Sequence, residues 1–220
     1  MNQTINYQKK LDQLIDGFQK ENRVPTLLLH SCCGPCSSYC LEYLSQYFNI
    51  TIFFYNPNIS PASEYERRAN EQQRLIEELD ALHPIKFRLG NYDADRFYAM
   101  AKGLEKEPEG GKRCFGCYEL RLREAAIACK ELGIDYFTTT LSISPHKNAV
   151  KLNEIGEAVG KEYGVTYLPS DFKKKNGYKR SVELSKEHHL YRQDYCGCVY
   201  SKLEAEQRIK EQEITKGVKE

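Results

Sequence analysis

Seven of the nine cysteines in this chain of 220 residues fall in three short groups. The groups are Cys32–Cys33–Cys36, Cys114–Cys117 and Cys196–Cys198, and each lies beside glycine or polar residues. The first two groups stand at predicted helix starts, where backbone N–H groups and the helix dipole stabilise a thiolate. Because the thiolate is the form that binds metal, the three groups are predicted to build a metal or redox site.

The two remaining cysteines are predicted to be packing residues. Cys40 and Cys129 fall on the apolar faces of predicted helices. A buried free cysteine behaves there as a small hydrophobic side chain.

Zinc and dithiol exchange each explain only part of the set. Two C-x-x-C pairs can bind zinc, but such pairs are usually about 15–20 residues apart, and zinc would leave Cys32, Cys196 and Cys198 unused. The tetrapeptide Cys33–Gly34–Pro35–Cys36 is identical to the thioredoxin active-site sequence, and a Cys-Gly-Cys turn can form a redox-labile disulfide. Thioredoxin, however, has a tryptophan before that motif, and this chain has no tryptophan.

An iron–sulfur cluster accounts for all seven cysteines. A cluster takes four thiolates, and the other three can hold a second metal or form a redox pair. The sequence therefore predicts an iron–sulfur site together with a second redox element.

Short apolar runs alternate with helical patterns along the chain. Strands are predicted at residues 26–30, 49–55, 85–89, 136–140 and 165–168, with helices of 10–19 residues between them. This alternation predicts an α/β fold, a parallel sheet wrapped in helices. Ligands of such sheets bind beyond the carboxyl ends of the strands, and Cys32–Cys36 follows the first strand directly.

Composition indicates a globular enzyme. The net charge of +1 argues neither for nor against a nucleic-acid partner, and no stretch approaches 18 apolar residues. The N-terminus has no apolar core of signal-peptide length, so the protein is predicted to be cytoplasmic, where thiols stay reduced. We expect a single domain over residues 1–220, with an α/β core at 24–170 and a basic loop and helical extension at 171–220.

The cysteine motifs resemble those of the cobalamin-independent epoxyqueuosine reductases, the QueH family. The resemblance spans about residues 25–200 and includes these segments: His30–Cys36, Tyr55–Ile59, Glu64–Tyr65, Arg67–Arg68, Cys114–Cys117, Thr139–Lys147 and Tyr195–Cys198. It implies reduction of epoxyqueuosine to queuosine in the anticodon loop of tRNA, the last step of queuosine synthesis. It also implies a [4Fe-4S] cluster, a second mononuclear iron, no cobalamin, an electron donor that the sequence does not identify, and a Rossmann-like three-layer fold related to the nucleotide α-hydrolases.

Two partitions of the cysteines are compatible with the sequence. The favoured one gives the cluster Cys32, Cys33, Cys114 and Cys117 and leaves Cys196 and Cys198 as a redox pair that can form a disulfide. Adjacent cysteines in extended backbone point opposite ways, so the alternative places one of Cys32 and Cys33 on the cluster with Cys196 or Cys198 as fourth ligand. Some family members carry aspartate at the position of Cys36, which the resemblance therefore assigns to the second iron.

Other side chains are candidates for substrate contact. His146 and Asp194 are predicted proton donors, and Lys147 and Arg192 are predicted to contact tRNA. A dense basic run is predicted to contact tRNA phosphates, with its tyrosine stacking on a base; it comprises Lys173, Lys174, Lys175, Tyr178, Lys179 and Arg180. The plainer interpretation of that run is a solvated surface.

Two rival functions share features with this prediction. Some tRNA sulfur-transfer enzymes pair this fold with an iron–sulfur cluster, but they need a Ser-Gly-Gly-x-Asp-Ser loop after the first strand to bind ATP. This chain has Ser31–Cys32–Cys33–Gly34–Pro35–Cys36–Ser37 there, which argues against ATP activation. The other rival is a zinc-stabilised tRNA-binding module.

Overall fold

The computed structural model describes residues 5–217, which form five strands and eight α-helices. The strands are β1 Thr26–His30, β2 Asn49–Phe54, β3 Ile85–Leu89, β4 Tyr136–Thr139 and β5 Thr166–Tyr167. The helices are α1 Tyr7–Lys20, α2 Gly34–Leu44, α3 Ala62–Glu78, α4 Ala94–Ala101, α5 Lys112–Glu131, α6 Ala149–Tyr163, α7 Gly177–Glu187 and α8 Val199–Gly217. A short 3₁₀ turn, Thr140–Ile143, follows β4.

The five strands form one sheet in the order β3-β2-β1-β4-β5, and every neighbouring pair is parallel. The predicted α/β fold is therefore confirmed. The chain runs outwards from β1 to β3 on one side and from β4 to β5 on the other. The loops that leave β1 and β4 consequently part in opposite directions, which opens a crevice at the carboxyl edge of the sheet.

Alternating side chains of the central strand, β1, belong to two separate apolar layers. Leu27 and Leu29 pack with α1, α2 and Leu75 of α3 on one face of the sheet. Leu28 packs with α5 and α6 on the other face. Because successive side chains of a strand point to opposite faces, this continuous apolar run is buried on both sides, as in other parallel sheets.

The C-terminal segment is packed onto this core. Phe172 and Leu190 are buried in the layer formed by α1 and α2, and α7 packs against α2. The separation into a core at 24–170 and an extension at 171–220 stays a prediction. Within residues 5–217, no helix combines the length and apolarity that a membrane span requires.

One buried asparagine fixes where this segment leaves the core. On α6, the side chain of Asn153 donates to the backbone carbonyls of Ala149 at 2.7 Å and Ser170 at 2.8 Å. Its carbonyl accepts from the Ser170 N–H at 2.9 Å. The segment that leads to α7 is thereby tied to α6.

We expect Asn153→Ala to lower the free energy of unfolding by about 3 kcal/mol, since both backbone groups of Ser170 would be left buried without their partner. Glu154→Ala is the matched control, because its exposed ion pair with Lys151 on the same helix contributes about 0.5 kcal/mol or less. Urea denaturation measures both. An equal decrease in the free energy of unfolding in the two variants would show that Asn153 does not anchor the segment.

Candidate metal and redox site

A buried histidine, His30, lies at the ends of β1 and β4, where the crevice begins. His30 Nε2 lies 3.0 Å from the Tyr55 carbonyl, so it donates there, and Nδ1 accepts from the Thr139 hydroxyl at 2.9 Å. Burial and the nearby Arg121 guanidinium lower the pKa of His30 to about 4, which leaves the ring neutral at pH 7. The ends of three strands are joined in this way directly below the first cysteine group.

Cys32, Cys33 and Cys36, which we call the cysteine trio, form a compact set of sulfur atoms. Their three Sγ atoms lie within 4.8 Å of one another, and those of Cys32 and Cys33 are 3.9 Å apart. Cys33 is the N-cap of α2, which begins at Gly34, so the predicted helix start is confirmed. The structure thus places three soft sulfur ligands at distances that one metal ion could bridge.

The trio shares negative charge. Hydrogen bonds from the Cys32 and Cys36 thiols, with the nearby charge of Arg68, hold the pKa of Cys33 well below its usual range. Hydrogen bonds to Cys32 and to Cys33 raise the pKa of Cys36, because its thiol is the donor in both. Of the three sulfurs, Cys33 is therefore the one whose thiolate its neighbours favour most, and the thiolate is the form that binds a metal cation.

The other four clustered cysteines, which we call the cysteine tetrad, surround a second space. Cys114 and Cys117 stand in the first turns of α5, and Cys196 and Cys198 flank Gly197 just before α8. All four line one small cavity of about 20 Å³. Two segments separated by some eighty residues thus meet around a common point.

The Cys196–Gly197–Cys198 turn has a shape that only glycine permits at its centre. Gly197 has φ = +135°, and a Cβ there would lie 2.9 Å from Cγ1 of Ile59. Arg68 Nη1 donates to the Cys196 carbonyl at 3.0 Å, and the Gly197 carbonyl accepts from the Ser60 N–H at 3.0 Å. The turn is anchored by its backbone, while the Cys198 sulfur also contacts the Ser201 hydroxyl and accepts from the Ser201 N–H, both at 3.4 Å.

Burial is the main cause of the pKa shifts of the two α5 cysteines in the tetrad. It raises the pKa of Cys117 to about 12, and it also raises the pKa of Cys114. Negative charge at Cys196 and Cys198 adds to both shifts. The two α5 thiols are therefore protonated at pH 7 in the free protein, and a metal centre would have to displace those protons.

The structure groups the seven cysteines as three and four. Cys40 and Cys129 are fully buried in the two apolar layers, which confirms their predicted packing role. In the described part of the chain all nine cysteines are free thiols. The cluster ligands predicted from the sequence, Cys32, Cys33, Cys114 and Cys117, stay a prediction. In the structure, Cys196 and Cys198 share a cavity with the α5 pair.

Cysteines of both groups line one open cleft of about 270 Å³. Cys32 and Cys36 of the trio line it, and so does Cys196 of the tetrad. The structure also brings five other predicted site residues to this cleft: His146, Lys147, Tyr178, Arg192 and Asp194. His146, Arg192 and Asp194 are exposed, whereas Lys147 is half-buried and lines the tetrad cavity too.

The basic run divides into engaged and exposed members. Lys173 donates to the backbone carbonyls of Ser142 and Lys147 and pairs with Asp171. Lys175 pairs with Asp12, and Arg180 forms a two-oxygen ion pair with Glu42. Lys174 and Lys179 are exposed. The engaged members hold the C-terminal segment to the core, so their predicted contact with tRNA would have to displace these bonds.

Sequence reasoning missed four charged residues near the cysteines. They are Arg68, Glu109, Arg113 and Arg121, of which the three arginines are among the largest fully buried side chains. Arg121 lies on the helical face of Cys114 and Cys117, seven and four residues later, and this spacing could have found it. Arg113 bridges the 104–107 backbone to Glu204 of α8, a long-range contact with no sequence signal.

Comparison with known proteins agrees with this geometry. Residues 27–204 match the family model described as epoxyqueuosine reductase QueH. Proteins named epoxyqueuosine reductase QueH from Streptococcus pyogenes serotype M1 and Staphylococcus epidermidis are 48% and 47% identical, covering 91% and 92% of this chain and 79% and 87% of their own. A protein of that name from Thermotoga maritima is 36% identical over 87% of this chain and 96% of its own length.

We expect Gly197→Ala to destabilise the protein by about 1–3 kcal/mol and to reduce its metal content after anaerobic purification, because the new Cβ forces the turn to move. Gly17→Ala is the matched control, since a Cβ at that position in α1 meets nothing within 4 Å. The control should be stabilised by about 1 kcal/mol with unchanged metal content. Urea denaturation and elemental analysis measure the two effects; unchanged metal in Gly197→Ala would contradict the role assigned to the turn.

Proposed function

The chain belongs to the epoxyqueuosine reductase QueH family, and we propose that its seven clustered cysteines hold two metal centres that serve this reaction. The protein is an oxidoreductase that converts epoxyqueuosine to queuosine in tRNA. Removal of the epoxide oxygen leaves an alkene, consumes two electrons and two protons, and releases water. The site must therefore provide electrons, protons and room for a modified nucleoside.

A single observation carries the proposal: cysteines of the trio and of the tetrad line the same cleft. Cys32 and Cys36 line it from the end of β1, and Cys196 lines it from the turn before α8. A nucleoside in this cleft would lie against both cysteine groups at once. Two redox elements within reach of one substrate suit a reaction that needs two electrons.

The tetrad suits a [4Fe-4S] cluster, which takes four thiolates. Cys114, Cys117, Cys196 and Cys198 supply that number around one cavity. This assignment differs from the partition that the sequence favoured, which stays a prediction, and it is supported by the shared cavity.

The trio suits a single iron. Cys32, Cys33 and Cys36 offer three converging sulfurs, and a site with three protein ligands keeps a position for water or substrate. When bound, the cluster would supply electrons one at a time and the single iron would polarise the epoxide oxygen. Cys36 is half-buried and lines the cleft, so the trio is open on the side where a substrate would enter.

Buried polar atoms around the cysteines support bound centres. Within residues 5–217, Nη2 of Arg68, Nη2 of Arg121 and Oδ1 of Asn58 are buried without a hydrogen-bond partner. Arg121 and Asn58 line the tetrad cavity. Buried polar groups without a partner are expensive unless a further group completes them, and the two guanidinium Nη2 groups are donors that a thiolate-bound centre could accept from.

Cleft side chains are placed to bind the nucleoside and to supply protons. Tyr178 is 41% exposed and can stack on a splayed base, while Lys147 and Arg192 can contact phosphate. His146 and Asp194 are the proton donors that we propose, since both line the cleft. Exposed Lys174 and Lys179 extend this surface beside Tyr178.

The partition of ligands can be tested with two alanine variants after anaerobic reconstitution. We expect Cys33→Ala to retain the cluster absorbance and about four irons per chain, and Cys198→Ala to lose them. Cys129→Ala is the control, because Cys129 is buried away from the site; this variant should retain both the cluster absorbance and the iron content. Loss of the cluster in Cys33→Ala, with retention in Cys198→Ala, would restore the partition predicted from the sequence.

The activity can be tested in a strain that lacks the gene and any other epoxyqueuosine reductase. Its tRNA should accumulate epoxyqueuosine, and the wild-type gene should restore queuosine, as nucleoside mass spectrometry would measure. Cys33→Ala should fail to restore it, because the trio would lose a ligand. Queuosine at the normal level in the deletion strain would refute the assignment.

A further inference from the structure

Three arginines are buried near the cysteines, and Arg121 differs from the other two in its partners. Arg68 forms an ion pair with Glu64 at 2.7 Å, and Arg113 forms one with Glu204 at 3.1 Å. Among the side chains that the structure describes, those of residues 5–211, no carboxylate lies within ion-pair distance of Arg121, in contrast to these two arginines. Arg121 is thus a fully buried cation whose charge is not balanced by an acidic side chain.

Its hydrogen bonds are also incomplete. Nε donates to the Cys117 carbonyl at 3.2 Å, and Nη1 makes a long contact of 3.5 Å with Oδ1 of Asn56. Nη2 has no hydrogen-bond partner within the described residues. The side chain lines the same small cavity as the four tetrad sulfurs.

A buried cation of this kind is costly unless another group compensates its charge. Burial lowers the pKa of Arg121, and ionised cysteine sulfurs, first of all that of Cys117, raise it. Cys117 is protonated at pH 7 in the free protein, so its compensating charge is present only when its thiolate binds a metal centre. The charges that favour Arg121 are therefore those of the cysteine sulfurs. A cluster bound by four thiolates is negatively charged, and reduction makes it more so.

We propose that Arg121 is a positioning residue for the tetrad's cluster: its free Nη2 donates to a sulfur of the bound centre, and its unpaired charge favours the reduced form. This inference rests on the cluster assignment proposed above. Hydrogen bonds to the sulfurs and the local net charge are among the properties by which a protein sets the potential of an iron–sulfur cluster. Removing the charge should therefore make the cluster harder to reduce.

The direct test is an anaerobic redox titration with dithionite, followed by electron paramagnetic resonance, on the full-length, cluster-loaded protein. We expect Arg121→Met to disfavour one-electron reduction by about tenfold or more, which corresponds to a shift of about 59 mV to more negative potential. Arg121→Lys retains the charge and should recover part of the shift. An unchanged potential in Arg121→Met would overturn the inference.

Arg123→Met is the matched control on the same helix. Arg123 is at the surface and pairs with Glu119 and Glu162, so its loss should leave the potential unchanged. An equal shift in both variants would show a general charge effect and would also overturn the inference.

A second measurement covers the case in which Arg121→Met does not assemble a cluster. In the metal-free protein, thermal unfolding should show Arg121→Met to be as stable as the wild type or more so, because an uncompensated buried charge is removed. Strong destabilisation of the metal-free variant would indicate a purely structural role and contradict the inference. If the wild-type protein itself binds no iron, the proposed cluster is refuted. That result differs from an unchanged potential in Arg121→Met, which refutes only the role of Arg121.

Discussion

Seven cysteine sulfurs brought to one edge of a sheet impose an electrostatic constraint that the surrounding structure satisfies with buried cations. Thiolates cost free energy when removed from water, and so do guanidinium groups; together they compensate each other. Arg68 faces the trio and holds the tetrad's turn, whereas Arg121 lies in the wall of the tetrad cavity. Neither arginine is fully hydrogen-bonded within the described residues, which is understandable if bound metal centres complete the arrangement.

The fold supplies the positions for this chemistry. The trio follows the central strand, where the loops that leave β1 and β4 part, and the neutral His30 ring joins three strand ends beneath it. The tetrad is assembled from the start of α5 and from the turn before α8, two regions that only tertiary packing can bring together. The last element is part of the site, because Ser201 of α8 lines the tetrad cavity and Tyr200 packs against the small apolar cluster that contains Cys198. An enzyme that must deliver electrons and protons to one nucleoside gains from having both cysteine groups at the same cleft.

Much of the fold could be predicted from the sequence, since it depends on local patterns. The strand Thr26–His30 has an unbroken apolar centre of three leucines, as a strand buried on both faces needs, and α2 begins where the Cys-Gly-Pro-Cys motif indicates. The cysteines at Cys40 and Cys129 were recognisable as packing residues for the same reason. The grouping of the other seven was not predictable, because which of two distant pairs reaches Cys114 and Cys117 depends on the path of residues 171–198. Likewise, a run of basic residues does not indicate which acidic residues it will contact. Lys175 and Arg180 were predicted to contact nucleic acid, but in the structure they pair with Asp12 and Glu42 of distant helices.

The central claim is that one chain carries two different thiolate-bound iron centres. Iron, zinc and acid-labile sulfide counted per chain after strictly anaerobic reconstitution test it most directly. The account predicts about five irons and about four sulfides per chain, with no zinc, as expected for a four-iron cluster beside a single iron. About one zinc per chain without sulfide would contradict it.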